Sequence, residues 1–164
     1  MKIAILCASD RCSKNECEDK SGPLIKEIMS DMAHTQDYVV VPDEKEKIKN
    51  ELIRFCDELK VDVVFTTGGT GLAPRDVTPE ATKSVIEKEV PGIPEAIRAY
   101  SLRITDRAML SRAVSGTRKS TLIINLPGSP KAVREALEIV KPVLAHAVET
   151  LAGNTISCGG NYGK

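Results

Sequence analysis

Thr66-Thr67-Gly68-Gly69-Thr70-Gly71 leaves the short apolar run 61–65 and is followed by Arg75-Asp76-Val77-Thr78-Pro79-Glu80. The run is rich in valine and ends at glycine, which reads as a buried strand over 61–67. Thr78-Pro79 reads as a helix start, with Thr78 as N-cap and Pro79 at the first helical position. Strand, glycine turn and helix in succession are the unit of an α/β fold. Glycine permits positive φ and close approach of the backbone, so that successive N–H groups converge on an anion. A carboxylate just beyond such a loop is placed to hold a phosphate-bound cation. The pattern points to a phosphorylated ligand and to phosphoryl chemistry. A tight turn with no ligand is the plain alternative, but three glycines in six residues exceed what it requires.

Working outward, short apolar runs alternate with longer amphipathic stretches, as in an α/β domain with a mainly parallel sheet. Strands are expected over 3–8, 38–41 and 61–67, and helices over 21–33, 43–59 and 92–102 as well as from Thr78. Residues 113–116 and 121–126 read as a hairpin across 117–120. Ser129 and Pro130 open a last helix, which Pro142 is expected to kink or end early. The whole of 1–164 reads as a single domain with a loose tail over about 153–164.

Composition narrows the function. Lys plus Arg and Asp plus Glu both number 23, and the chain has no Trp, two Phe and three Tyr. A nucleic-acid binder would show a basic excess or aromatic stacking platforms, so nucleic acid is not expected as a partner. No run reaches the ~18 apolar residues of a membrane span, and the start is too short for a signal peptide. A cytoplasmic protein is expected. Five cysteines, an odd count, fit a reduced state. Cys7 and Cys56 fall on apolar elements and read as core. Cys12 and Cys17 fall in a loop and match no metal-ligand spacing.

The glycine loop belongs to neither common nucleotide motif. No lysine follows Gly71, as a Walker A loop needs, and Pro74 stands where the dinucleotide fingerprint has its third glycine. Asp76 precedes the helix start without being needed to cap it. Arg75 can pair with Asp76 or contact a phosphate through its forked donors. Asp43 follows the second strand through Pro42, on the same sheet edge, where ligands of open α/β folds collect. Asp43 and Asp76 could share Mg²⁺ there, although Asp43 can equally be the N-cap of the next helix. Ser9-Asp10-Arg11 after the first strand and Pro127-Gly128-Ser129 before the last helix reach the same edge. That helix N-terminus is also an anion site.

Thr67-Gly68-Gly69-Thr70-Gly71, Arg75-Asp76-Val77-Thr78-Pro79-Glu80-Ala81-Thr82, Leu110-Ser111-Arg112 and Asn125-Leu126-Pro127-Gly128-Ser129-Pro130 occur in the order seen in the molybdopterin adenylyltransferase family. The chain resembles that family, which includes the G domains of gephyrin and of its plant counterpart, over nearly its whole length. The resemblance implies a three-layer α/β/α sandwich that assembles as a homotrimer and binds molybdopterin and MgATP in one groove. It implies transfer of AMP to the terminal phosphate of molybdopterin, release of pyrophosphate, and passage of the product to a downstream metal-insertion protein. By position, Asp43 and Asp76 would carry Mg²⁺ and catalysis. Thr67, Gly68, Gly69, Thr70 and Gly71 would cradle phosphates, with Arg75 beside them, while Ser9, Asp10, Arg11, Pro127, Gly128 and Ser129 would line the groove. The loop after Arg11 departs from the family's small residues, reading Cys12-Ser13-Lys14-Asn15-Glu16-Cys17.

Two rival readings share the loop. A non-catalytic molybdopterin carrier would not need both Asp43 and Asp76. A hydrolase domain of the competence-damage type would carry an acidic pair where this chain has Arg75-Asp76.

Overall fold

The computed structural model describes residues 1–153. Its strands are β1 (Lys2–Ala8), β2 (His34–Val41), β3 (Val63–Thr67), β4 (Lys88–Glu89), β5 (Ser115–Arg118) and β6 (Thr121–Leu126). They form one sheet in the order β2-β1-β3-β6-β5-β4. β2, β1, β3 and β6 are parallel, and β5 is antiparallel to both of its neighbours. The helices are α1 (Asp10–Ser13), α2 (Ser21–Met29), α3 (Lys45–Asp57), α4 (Thr78–Lys83), α5 (Gly92–Ser101) and α6 (Pro130–Leu151), with a 3-10 turn at Asp106–Leu110.

The pleat of β1 sorts its side chains between two cores. Ile3 and Ile5 pack with Ile25, Ile97, Val133 and Leu137 on the face covered by α2, α5 and α6. Ala4 and Leu6 pack with Ile48, Leu52, Phe55 and Ala81 on the face covered by α3 and α4. Helices on both sides explain why β3 and β6 are buried at every position, as covered parallel strands must be. This is the expected α/β/α sandwich with a mainly parallel sheet.

Several boundaries differ from expectation. β2 begins at His34 rather than 38, and α2 stops at Met29 rather than 33. Residues 34–37 are polar, but as an edge strand β2 is wetted and its residues need not be apolar. The hairpin turn shrinks to Lys119-Ser120, with Lys119 at φ 51°. Pro142 does not end α6, which runs to Leu151. The proline sits on the exposed side, where water can satisfy the carbonyl that loses its partner. The expected tail over 153–164 lies, apart from Gly153, outside the described residues.

Chain order sets the location of the site. From β1 the chain crosses to β2 on one side, and from β3 it goes to the strands on the other. The carboxyl ends of β1 and β3 are thus the topological switch point, where a crevice opens. Beneath it lies wholly buried Asn125 of β6. Its Nδ2 donates to Thr66 Oγ1 and Thr82 Oγ1, both at 2.9 Å, and its Oδ1 accepts from the Val114 N–H at 3.2 Å. Asn125→Ala strands these groups, so it should cost roughly 2–3 kcal/mol, read as a lower urea midpoint at unchanged slope.

Candidate active site

The turn after β3 takes its shape from two glycines, Gly68 at φ 88° and Gly69 at φ 63°. A Cβ on Gly68 would lie 2.2 Å from the Ala8 carbonyl oxygen, so no side chain fits between the ends of β1 and β3. A Cβ on Gly69 would meet Thr78 Oγ1 at 2.5 Å and Asp43 Oδ1 at 3.0 Å. The N–H groups of Gly68, Gly69, Thr70 and Gly71 donate to no acceptor among the described residues. A run of free donors along a turn with successive positive-φ residues is a ready anion cradle.

Thr78 does not cap α4 as expected. The helix begins at Thr78 itself, with Val77 as a cap that makes no side-chain bond. The Thr78 hydroxyl instead donates to the Gly68 carbonyl at 2.9 Å, and its N–H to the Gly69 carbonyl at 3.1 Å. The left-handed turn leaves these carbonyls in need of donors, and they take precedence over the helix end. Pro127 and Gly128 arrive beside the loop as expected. Thr67 Oγ1 donates to the Pro127 carbonyl at 2.8 Å, and Ser21 Oγ to the Gly128 carbonyl at 2.9 Å. Ser129 caps α6 by accepting from the Ala132 N–H at 3.3 Å.

Asp43 is not the N-cap of α3; Glu44 holds that position. Asp43 faces the start of α1 instead. Its Oδ2 accepts from the Asp10 N–H at 2.8 Å, and Asp10 Oδ1 accepts from the Asp43 N–H at 3.1 Å. Arg75 pairs with Asp10 rather than Asp76, through Nε and Nη2 at 2.9 and 2.7 Å. That guanidinium holds the Asp10 carboxyl below its usual range. Asp76 Oδ2 accepts from the Ala73 N–H at 2.8 Å and lies 2.9 Å from where a Cβ on Gly71 would sit. Both aspartates therefore lie against the glycine loop, at Gly69 and at Gly71.

The electrostatics of this rim favour a cation. Burial pushes the Asp43 carboxyl up, and the charges of Asp10 and Asp76 push it further, against the opposing Asp10 N–H and the charge of Arg75. Oδ1 of Asp43 and Oδ1 of Asp76 accept no hydrogen bond among the described residues. No group of three or more His, Cys, Asp or Glu side chains among those residues could hold a metal by itself. Two open carboxylate oxygens without a third protein ligand fit an ion such as Mg²⁺ that arrives on a nucleotide's phosphates and keeps several waters.

Arg11 is exposed, and its side chain makes no hydrogen bond among the described residues. One expectation fails nearby. Cys12 and Cys17 are not reduced but joined by a disulfide, their Cα atoms brought to 4.7 Å. The loop doubles back through Asn15 at φ 59°, which spacing along the chain does not reveal. Cys7 and Cys56 are buried and free, as expected. Burial, aided by the charge of Asp19, pushes the Cys7 thiol up to about 12, so it stays protonated at neutral pH.

Two cavities meet the loop. One of about 320 Å³ is bounded by Ser9, Asp19, Ser21, Thr67, Gly68 and Gly128. The other, of about 280 Å³, reaches Thr70 and Gly71 from Ile97, Arg98, Leu110 and Ser111. Sequence reasoning gave residues 97–98 no role and quoted Leu110-Ser111-Arg112 only for the family likeness, because only the fold carries them to the loop.

Comparison with known proteins finds relatives along most of the chain. Residues 4–146 match the family model described as "Probable molybdopterin binding domain". The chain is 48% identical over 155 residues to the molybdopterin adenylyltransferase of Helicobacter pylori strain J99, covering 93% of this chain and 88% of that protein. It is 40% identical over 151 residues to the molybdopterin adenylyltransferase of Escherichia coli K12, covering 90% of this chain and 77% of that protein. The molybdopterin biosynthesis enzyme MoaB of Thermus thermophilus superposes with a TM-score of 0.88 at 46% identity, covering 93% of this chain and 96% of that one. With the likeness running through β1, the glycine loop and most of α6, the chain belongs to the molybdopterin-binding domain family.

Proposed function

We propose that the chain is a molybdopterin adenylyltransferase, moving AMP from MgATP to the terminal phosphate of molybdopterin. The observation that carries this reading is the placement of two open carboxylates and a run of free amides around one loop, between two cavities. One cavity for each substrate would bring two phosphate-bearing molecules together at Gly68–Gly71. A phosphate oxygen of molybdopterin attacks the α-phosphorus of ATP; the new P–O bond forms as the bond to pyrophosphate breaks.

The protein's part is alignment and charge stabilisation rather than covalent chemistry. The amides of Gly68, Gly69, Thr70 and Gly71 hold phosphate oxygens in a fixed array. The N-terminus of α6, behind Ser129, adds the positive end of its dipole and the Lys131 N–H, the Ala132 and Val133 amides being bonded to Ser129. Mg²⁺, held by Asp43 and Asp76, would neutralise charge on the nucleotide phosphates. Arg75 keeps the Asp10 carboxylate, the third of the rim, paired and away from incoming anions. A trimer, as the resemblance implies, would cover Leu102, Ile104, Met109 and Leu110, each roughly half exposed or more.

Incubation with molybdopterin and MgATP should yield pyrophosphate together with adenylylated pterin; bound pterin without pyrophosphate leaves only a carrier. Asp76→Ala should lower AMP transfer by about 100-fold or more while sparing most pterin binding. Undiminished turnover would remove Asp76 from the mechanism.

Asp43→Asn supplies a test through stability. Because the folded carboxyl is raised, the contribution of Asp43 to wild-type stability falls as pH climbs from the ordinary value of 3.8 through the folded one. The amide removes that loss. With a chelator present, the variant should melt above wild type at pH 7. The gain should vanish below pH 3.8, where the wild-type carboxyl is protonated in both states. A gain that persists in acid would contradict the electrostatic account.

A further inference from the structure

Arg112 follows the 3-10 turn and has so far been given no role. Its main-chain N–H donates to the Thr70 carbonyl at 3.0 Å, which lays the side chain across the next stretch of the loop. There Nε donates to the Gly71 carbonyl at 2.7 Å and Nη2 to the Asp76 carbonyl at 2.6 Å, while Nη1 pairs with Glu80 of α4. Each guanidinium nitrogen is thus engaged by a protein oxygen. The group is planar, with donors in a fixed fork. It spans the two ends of segment 71–76.

Within that segment the chain is closed on itself. Asp76 Oδ2 accepts from the Ala73 N–H at 2.8 Å, and the Asp76 N–H donates to the Ala73 carbonyl at 2.9 Å. These bonds make 73–76 a unit but do not fix its tilt against the glycine loop. The two carbonyls held by Arg112 do, one ahead of the unit at Gly71 and one on its last residue, Asp76. With the tilt fixed, so is the direction of Asp76 Oδ1, the oxygen left without a partner.

We propose that Arg112 is a positioning residue for Asp76: by bridging the Gly71 and Asp76 carbonyls it aims the open carboxylate oxygen at the cation that accompanies ATP. The inference rests on the role proposed above for Asp76. Glu80 anchors the far side of the guanidinium on α4, so the clamp ties the loop to the rigid layer beneath it.

The test is ATP binding by calorimetry, with Mg²⁺ and with a chelator, on wild type, R112A, D76A and the double variant. R112A should weaken the Mg²⁺-dependent part of the affinity about tenfold and leave binding in chelator unchanged. The double variant should match D76A, because an aimed group that is absent cannot be misaimed. Losses that add, or a loss equally large in chelator, would assign Arg112 an independent structural role and overturn the proposal. R112K keeps the charge without the fork, so it should bind as R112A does; it serves in place of R112A should that variant not fold, and wild-type affinity in R112K would overturn the bridging role. Turnover is read separately: R112A should lower kcat about 10- to 100-fold with KM for molybdopterin unchanged. A wild-type protein that binds MgATP through Asp76 yet releases no pyrophosphate would defeat the transfer reading alone. One whose ATP affinity ignores Mg²⁺ would defeat this inference.

Discussion

The contact between the Gly68 backbone and the carbonyl of Ala8 is the constraint on which the site depends. A methyl group at position 68 would collide with that oxygen at 2.2 Å. Because nothing separates the strand ends, the chain must turn with positive φ at both Gly68 and Gly69. The turn in turn leaves four consecutive N–H donors without an acceptor among the described residues and sends two carbonyls inward to Thr78. One steric fact therefore links the strand order, the open amides and the start of α4.

Charge is arranged around that turn against the tendency of like groups to separate. Three carboxylates, Asp10, Asp43 and Asp76, share one rim in a chain with no net charge. Asp10 is neutralised by Arg75, and the reciprocal main-chain bonds between Asp10 and Asp43 hold two of the three together. Asp43 remains half-buried and forms no ion pair among the described residues, at a cost to the folded state that an arriving cation would relieve. Such a rim suits a protein that meets its cation only with its substrate. In the proposed reaction, strain of this kind favours the loaded state over the empty one.

The loop is supported from below and beside by groups with no evident chemistry. Asn125 joins β6 to β3 and α4 through two threonine hydroxyls, and Arg112 closes the far end of the loop. The disulfide between Cys12 and Cys17 stiffens the segment that carries Asp10. These contacts surround a short, glycine-rich turn whose own residues contribute almost no side-chain packing.

Much of this was readable along the chain. Short apolar runs located β1, β3 and β6, and an amphipathic stretch located α3, whose buried residues are Ile48, Leu52, Phe55 and Cys56. The loop 67–71 and the helix start at Ser129 were legible because glycine and capping residues act locally. Partners were not. That Arg75 would choose Asp10, that Thr78 would serve the loop instead of its helix, and that Cys12 would join Cys17 follow from where the backbone turns in space. The sequence alone determined the elements, the cradle and the carboxylates available, because propensity and periodicity are properties of neighbouring residues. Only the tertiary structure decided which carboxylate is paired and which is left open. That choice depends on residues up to 65 positions apart meeting at the carboxyl ends of β1 and β3.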